Sequence, residues 1–505
     1  MLKDHQSAQC ANSVVQSHLQ LLSSDQLQLS QPKSQSYPLY ATRCCVELPV
    51  ELWLVVFEFS FALSRRQSYQ DQSWTTEDQM SFPFALASVC STWRSALASV
   101  PKYWTHLVFS INSPPTPLHH VKCFLAWSRP LPIHVLIARR PSTYEDCGCN
   151  EQETVKKIMQ EVMSHISRCR SIRIDVRYSS SLPFLRVDFQ GRAGPQLQAL
   201  KLSCRLDDGG SSARSPFYSK LFAPHLRELH LDGRSFQGLC LSPSKWLSGL
   251  LGLKVLSVSC FHRNSWSDGL DLYGLLGAIE SCSKLDDLTL RDLYFRRNRP
   301  WTLESFISNL RFMHLEDLDG DVLVEIIKAA DIMPERVTIS RCSLPQGCPP
   351  LMSDHVRFQT IDVSQNLMHP LSEWVGDALS VSHCPSFNDE FLEQLADGGP
   401  ADARFPCPQL GQIRLNGCQN FSPQMLRNMI QKRCSVAWEG FSGDAAAVAD
   451  HNFDTVAPIT SVSVEGGPAL TPTDRAWLQG NLASFNWSTK PSTIDSGNDA
   501  SAGPL

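Results

Sequence analysis

The side chains that could perform catalysis occur in this chain as a few isolated histidine and aspartate groups. They are His119-His120, His225 with His230, His383-Cys384, Asp207-Asp208 and Asp286-Asp287. A general base or a metal ligand needs a second functional group at a suitable spacing, and none of these groups has one. The sequence also lacks a Gly-x-Ser-x-Gly elbow, a phosphate-binding Gly-x-x-x-x-Gly-Lys loop and a His-Glu-x-x-His pair. We therefore expect a protein that is not an enzyme.

The cysteines predict neither a disulfide framework nor a metal site. The chain has 18 cysteines, but its start lacks the basic and then apolar run of a secretory signal, so we expect reduced thiols. Cys44-Cys45 and Cys147-Gly148-Cys149 are too tightly spaced for a familiar zinc set, and no two Cys-x-x-Cys units occur. The expectation is no metal and no cofactor.

The composition and net charge argue against two classes of partner, nucleic acids and membranes. The 505 residues are 42% hydrophobic and 19% charged, as in a globular protein, and the formal net charge is -5. This charge is too small and of the wrong sign to favour nucleic acid or an acidic membrane surface. No stretch reaches the roughly 18 apolar residues of a membrane helix. We therefore expect neither nucleic acid nor membrane as a partner, and a cytoplasmic or nuclear location.

Two short apolar helix patterns lie between residues 46 and 109, and these must position any binding surface. The first places Leu48, Leu52, Val55, Val56 and Phe59 on one helical face. The second gives the same kind of spacing to Leu86, Val89, Cys90, Trp93 and Leu97. A unit of about 50 to 60 residues is below the size at which a lone core is comfortably stable, so the segment would gain from a partner.

These residues resemble the F-box. Leu48-Pro49-x-Glu51-Leu52 followed by Val56-Phe57 matches its first helix, and Val89-Cys90-x-x-Trp93-Arg94 with Pro101 and Trp104 matches its later part. The following helix, the Ser128-Arg129-Pro130-Leu131-Pro132 turn and the next strand are similar to those of many fungal F-box proteins. The polar spacer of about 62–84 is longer than a minimal F-box needs and is predicted to be a loop.

The resemblance implies a Skp-type adaptor as partner and, through it, a cullin scaffold. The residues expected to contact the adaptor are Leu48, Pro49, Leu52, Val56, Phe57, Val89, Cys90 and Trp93. Leu48, Pro49 and Trp93 come first as anchors, although Trp93 is equally suited to hold the two helices together. The alternative is that the apolar stripe packs inside this chain's own later domain.

From about residue 165 the sequence repeats the form apolar-x-x-apolar-x-apolar, which is the strand signature of leucine-rich repeats. The third apolar positions of four successive copies are Leu202, Leu231, Val258 and Leu290, which lie 27 to 32 residues apart. Three residues past such positions the repeat favours Asn or Cys, as at Cys342, Asn366, Cys384 and Cys418. Strand plus helix in each repeat predicts a solenoid whose strand face binds a target through Arg227, Glu228, His230, Arg414 and Asn416.

The predicted fold class is therefore α/β: a small all-helical F-box-like domain followed by a leucine-rich-repeat solenoid, with disordered termini. The expected boundaries are a Gln- and Ser-rich arm over 1–43, the F-box-like domain over 44–110, a linker with a helix and a first strand over 111–164, the solenoid over 165–435 and a mostly disordered tail over 436–505. An apolar island in that tail, with Trp477, Leu482 and Trp487, closes the end of the solenoid or docks another protein.

Together these expectations point to the substrate-recognition subunit of an SCF-type cullin ubiquitin ligase. The alternative is a leucine-rich-repeat scaffold that binds proteins and recruits no ligase. The sequence names neither the target nor any dependence of recognition on phosphorylation.

Overall fold

The structure is a computed structural model of the chain, and it describes residues 48–70, 81–112, 114–140, 150–183, 189, 191–209, 221–240, 246–262, 269–296, 310–330, 333–397, 405–441 and 456–490. The arm predicted over 1–43 lies outside these residues. The chain divides into two compact units, Met1–Trp53 and Leu54–Leu505. Of the first unit, the described part is Leu48, Pro49 and the first turn of helix α1 (Val50–Gln70).

The second unit is built on one open, parallel β-sheet, which has 14 strands among the described residues and in which strands pair in chain order. The strands are β1 (His106–Ser110), β2 (Ile133–Ala138), β3 (Cys169–Tyr178), β4 (Ala199–Leu206), β5 (Glu228–Asp232), β6 (Val255–Phe261), β7 (Asp287–Leu293), β8 (Phe312–Glu316), β9 (Arg336–Ser340), β10 (His355–Gln359), β11 (Ala378–Ser382), β12 (Gln412–Asn416), β13 (Ser461–Glu465) and β14 (Ser484–Ser488).

Parallel neighbours require crossover connections, and helices supply many of them. After α1 come α2 (Ser91–Ala98), α3 (Leu118–Trp127), α4 (Glu151–Met163), α5 (Gly233–Cys240), α6 (Leu272–Glu280), α7 (Gly320–Ala329), α8 (Asp389–Ala396), α9 (Pro423–Phe441) and α10 (Pro472–Asn481). Shorter helical turns are Ser81–Ala85, Pro101–Trp104, Ile166–Arg168, Ser179–Ser181, Leu247–Gly249 and His369–Leu371. Side-chain caps begin several helices; the Asn388 side chain, for example, accepts a 2.9 Å hydrogen bond from the Phe391 amide at the start of α8.

The core forms because apolar residues alternate along each strand and the strands share one register. Leu200, Leu229, Leu256 and Leu288 are aligned across β4 to β7, and all four are fully buried. Residues between them, such as Lys201 and Ser257, are only partly buried. The sheet therefore has an apolar face that packs against the rest of the unit and a polar face.

A left-handed residue follows each strand from β8 to β13. Examples are Thr360 with φ 53° and His383 with φ 51°, whereas Gly417 and Gly466 occupy this position after β12 and β13. The Thr360 amide donates to the Ser382 carbonyl at 2.8 Å, which continues the strand ladder by one bond. A Cβ on Gly417 would overlap the His383 ring, so this position requires glycine.

The predicted fold class is wrong. The structure has one 14-stranded, all-parallel sheet with alternating helices, an α/β arrangement, and not a small all-helical domain followed by a solenoid. β1 lies inside the segment predicted as the helical domain and β2 inside the predicted linker, yet both strands belong to the common sheet.

The physical reason is that the helical segment shares its core with the sheet. Trp104 is fully buried and stacks on Phe124 of α3, with ring centroids 5.0 Å apart. The Phe84 ring lies 4.9 Å from the Phe124 ring and packs on a buried cluster of Val108, Leu136 and Ala138 from β1 and β2. Apolar area that a segment of this size cannot bury alone is buried against the sheet.

The prediction of disordered termini is also wrong for residues 456–490. Two further strands, β13 and β14, and helix α10 extend the sheet there. The island expected to close the end of the solenoid forms part of these elements: Trp487 lies in β14, and its Nε1 donates to the Pro468 carbonyl at 3.0 Å. Val462 and Val464 are buried and give β13 its apolar face, although the surrounding chain is polar.

Candidate partner-binding surface

An exposed apolar stripe runs along α1. Val55, Phe59 and Leu63 follow one another at intervals of four residues, and their side chains are 52%, 68% and 62% exposed. Val56 lies beside them and is 48% exposed. Residues four apart share one face of a helix, so these four side chains, the α1 stripe, form a single apolar surface. Within the described residues this is the densest group of exposed large apolar side chains.

The opposite face of α1 fixes the orientation of the stripe. Phe57 is fully buried and meets the Trp93 ring edge to face, with centroids 5.3 Å apart. Phe61 packs 5.2 Å from the Tyr103 ring. Because these aromatic contacts hold one side of α1 against α2 and the turn Pro101–Trp104, the stripe faces away from them.

A polar contact adds to this attachment. The Glu58 carboxylate accepts hydrogen bonds from Lys102 Nζ at 2.8 Å and from the Tyr103 hydroxyl at 2.9 Å. These two donors lower the pKa of Glu58, and burial together with the Glu58 carboxylate raises the pKa of Tyr103. Glu58 is therefore ionised and Tyr103 neutral at physiological pH, which is the pairing that ties α1 to the Pro101–Trp104 turn.

The eight residues expected to contact the adaptor separate into two groups. Leu48, Pro49, Leu52, Val56 and Val89 are exposed, with Leu48, Leu52 and Val89 each about half accessible at 49%, 50% and 53%. In the first unit, the Pro49 carbonyl accepts the Leu52 amide at 3.0 Å, which starts the helix.

Phe57, Cys90 and Trp93 are positioned for packing between helices. Phe57 has no exposed surface, and its ring contact is with Trp93, which is half-buried. The Cys90 sulfur accepts the Trp93 amide at 3.5 Å and so caps α2. Phe57 therefore supports the surface from beneath, whereas the partly exposed Cys90 and Trp93 stay predicted adaptor contacts that also pack between the helices. Leu63, inside the spacer predicted as a loop, was missed; continuation of the four-residue spacing from Val55 and Phe59 was the available signal.

The residues expected to bind the target are not brought together. Arg227 is exposed just before β5, and Glu228 at the start of β5 pairs with Lys201 at 3.2 Å. Arg414 and Asn416 lie on β12, seven strand positions away, which is roughly 34 Å along a sheet at about 4.8 Å per strand. The five residues therefore mark two separate places, one at β5 and one at β12.

His230 is a partly buried, neutral residue. It lies on β5 between Lys201 of β4 and Ser257 of β6 in the strand register. Burial of the ring, with added repulsion from Lys201 and Arg173, lowers the pKa of His230 to about 3. It contributes hydrogen-bonding capacity rather than charge at physiological pH.

One row of side chains links the two places on the polar face. In register from β3 to β14 it contains Arg173, Lys201, His230, Ser257, Thr289, His314, Thr338, Arg357, Ser380, Arg414, Ser463 and Asn486. We call this the central polar row. These twelve positions include lysine and arginine but no carboxylate. The row on one side contains Glu228 and Asp287, and the row on the other side contains Asp175, Asp232, Glu316 and Glu465. The row is therefore a basic strip with acidic residues beside it.

No protein-family model and no curated protein matches this chain. No helix among the residues that the structure describes is both long and apolar enough to cross a lipid bilayer.

Proposed function

We propose that this protein is a substrate-recognition subunit of an SCF-type cullin ubiquitin ligase. In this proposal the segment from α1 to the turn Pro101–Trp104 binds a Skp-type adaptor, and the polar face of the sheet binds the target. The protein would act by proximity, raising the target's effective concentration near the ubiquitin-carrying enzyme. The architecture behind this function differs from the predicted one, because the helical segment packs on the first strands of the sheet and is not a separate domain.

The observation that carries the proposal is the exposed α1 stripe, on a helix whose opposite face makes ring contacts through Phe57 and Phe61. Full burial of a Val, Leu or Phe side chain contributes about 1.5–3 kcal/mol, and here about half to two-thirds of each side chain is available. The four residues together offer roughly 4–6 kcal/mol of apolar burial to a partner. A surface of this kind is unfavourable in water and typical of a binding interface.

The resemblance of this segment to the F-box indicates which partner the α1 stripe binds. The stripe lies in the helix that begins after Leu48-Pro49 and carries the Val56-Phe57 pair, while Val89 and Cys90 precede α2. These are the positions on which the F-box resemblance depends. The supporting contacts Phe57 with Trp93 and Trp104 with Phe124 explain why the aromatic residues of that pattern are needed for packing.

The central polar row supports an acidic target. Arg173, Lys201, Arg357 and Arg414 project from strands spread across the sheet, and no carboxylate shares their row at the described positions. An extended acidic segment laid across the strands would meet Arg173 and the Glu228-paired Lys201 at one end, and Arg357 and Arg414 six and eight strands beyond Lys201. Such complementarity mainly raises the association rate and excludes basic partners.

The test is co-elution of the purified full chain with a Skp-type adaptor in size-exclusion chromatography. The wild-type chain is expected to form a stable complex. Leu63→Asp is expected to weaken the complex at least about tenfold, because it removes apolar burial and places a charge in a desolvated contact. The combined change Leu48→Ala with Pro49→Ala is expected to weaken it as well.

Leu251→Asp is the matched control, because Leu251 is 72% exposed and lies far along the chain between α5 and β6. It should leave adaptor binding unchanged. Failure of the wild-type chain to bind the adaptor, or equal loss in Leu63→Asp and Leu251→Asp, would remove the ligase function and leave a protein-binding scaffold.

A further inference from the structure

A cluster of thiol, imidazole and carboxylate groups lies where β4 to β7 end. Cys204 belongs to β4, Asp232 ends β5, Cys260 belongs to β6, His262 directly follows the end of β6, and Asp292 belongs to β7. Parallel strands end at the same edge of a sheet, so residues that are far apart in sequence meet there. The adaptor-binding surface and the central polar row do not use these residues.

Three of these side chains have the geometry of a metal-ligand set. The Cys260 sulfur, a His262 ring nitrogen and an Asp292 carboxylate oxygen all lie within 4.8 Å of one another. His262 Nε2 already lies 2.7 Å from Asp292 Oδ2. Around a tetrahedral zinc ion, with ligand bonds of about 2.0–2.3 Å, ligand atoms are about 3.3–3.6 Å apart. Side-chain shifts of about 1 Å or less would therefore close the set on an ion.

Surrounding groups hold the ligands in place. The His262 amide donates to Asp207 Oδ2 at 2.9 Å, and Arg234 Nη2 donates to the same carboxylate at 2.9 Å. The Asp207 side chain has no exposed surface. Hydrogen bonds of this kind, one step behind the ligands, are what orients a metal site.

The charge of the cluster is unbalanced. Asp232 is buried, with 1% of its surface exposed, and its Oδ1 has no hydrogen-bond partner among the described residues. Its other oxygen accepts the Arg234 and Ser235 amides at 3.1 and 3.3 Å. Three carboxylates, Asp207, Asp232 and Asp292, thus share this edge with the guanidinium of Arg234, which pairs with Asp207. A bound cation would supply further positive charge.

We propose that Cys260, His262 and Asp292 bind one divalent transition-metal ion, with zinc as the preferred ion. The thiolate favours zinc over magnesium and calcium, which take oxygen ligands, and the mixed sulfur, nitrogen and oxygen set suits zinc's four-coordinate geometry. Cys260 lies at the buried side of the site, and His262 and Asp292 at its half-exposed side. Three protein ligands leave the fourth position of a tetrahedral ion to water or to another ligand.

Cobalt binding to the purified full chain tests this site without any adaptor or target, so its outcome is independent of the ligase function. The metal-free protein, prepared with a chelator, is titrated with Co²⁺ alone and followed by absorption. One Co²⁺ per chain is expected, with the intense thiolate-to-cobalt charge-transfer band and the visible bands of a four-coordinate ion. Zn²⁺ should displace it and abolish these bands.

The ligand variants give graded expectations. Cys260→Ser should abolish the charge-transfer band, and Asp292→Asn should weaken Co²⁺ affinity at least about tenfold. Asp292 and His262 are 41% and 40% exposed, so Asp292→Asn and His262→Ala test the site even if Cys260→Ser fails to fold. Cys348→Ser is the control, because Cys348 lies in the segment after β9, away from the cluster.

Absence of a stoichiometric Co²⁺ complex in the wild-type chain would overturn the site. So would a charge-transfer band that persists in Cys260→Ser, or equal loss of affinity in Asp292→Asn and Cys348→Ser.

Discussion

Replacement of Trp104 by alanine should loosen the helical segment and the first strands together. Trp104 is fully buried, lies 5.0 Å from the Phe124 ring and 4.6 Å from the Trp127 ring, and donates from Nε1 to the Leu97 carbonyl at 2.9 Å. Removal of a buried tryptophan costs about 3–5 kcal/mol, and loss of the indole hydrogen bond adds about 0.5–1.5 kcal/mol, because the Leu97 carbonyl keeps its hydrogen bond from the Val100 amide at 3.1 Å. We expect a loss of about 5 kcal/mol of local stability.

Trp104→Phe separates the two contributions. It keeps much of the aromatic packing but loses the indole donor, so a smaller loss of about 2 kcal/mol is expected. Trp438→Ala is the control, because the Trp438 side chain is 74% exposed on α9 and its removal should change stability by less than about 0.5 kcal/mol.

Hydrogen exchange followed by mass spectrometry distinguishes a shared core from a separate domain. In Trp104→Ala, peptides from α2 and from β1 and β2 should lose protection by the same factor, since Trp104 joins them through α3. Loss of protection confined to α1 and α2, with wild-type protection in β1 and β2, would refute the shared core.

Three further predictions concern single residues elsewhere in the sheet unit. Arg433 is fully buried and donates to three backbone carbonyls at 2.7–3.2 Å. Burial of its charge lowers the pKa of Arg433 to about 10. Arg433→Met should still lower the free energy of unfolding by at least about 2 kcal/mol, as followed by thermal unfolding. An unchanged melting temperature would mean that relief of the buried charge offsets the lost hydrogen bonds. Burial raises the pKa of Asp232 from 3.8 to about 6. As the pH rises from about 4 to 6, the unfolded chain therefore loses this proton before the folded chain does. Above that range the ionised carboxyl lowers the free energy of unfolding by about 3 kcal/mol. In metal-free protein, Asp232→Asn should therefore gain stability relative to wild type across that pH range, and a pH-independent difference would contradict the assignment. Thr360 has a φ of 53°, a conformation that costs a β-branched residue about 1–2 kcal/mol. Thr360→Gly removes this strain but adds conformational entropy to the unfolded chain. The net effect should be a gain in stability of about 0.5–1 kcal/mol. Denaturant titration that shows a loss instead would mean that the left-handed position carries no strain.

The local sequence pattern predicted individual strands better than it predicted how those strands assemble. The apolar positions Leu200 and Leu202 of β4, like Leu256 and Val258 of β6, lie buried in strands, because alternation along one face is fixed by side-chain chemistry. A separation of 27 to 32 residues between copies is also produced by any strand, helix and strand crossover. The spacing therefore could not decide how the strands assemble, nor show that β1 and β2 join the same sheet.

The candidate sites show the same limit. The exposed stripe was visible at Val55, Val56 and Phe59, since helical spacing places them on one face. Phe57 was assigned to the surface because spacing alone does not show which face Trp93 covers. The metal-ligand set was invisible, because Asp292 is 30 residues from His262 and only the register of β6 and β7 brings them together.

The most direct test of adaptor binding is site-specific photo-crosslinking from the α1 stripe. A photoreactive phenylalanine analogue replaces Phe59 in the full chain, and the same analogue replaces Trp438, which is similarly exposed at 74% against 68%. The proposed function predicts that the Phe59 position crosslinks to a Skp-type adaptor and that the Trp438 position does not. No crosslink from the Phe59 position, or equal crosslinking from both, would contradict it.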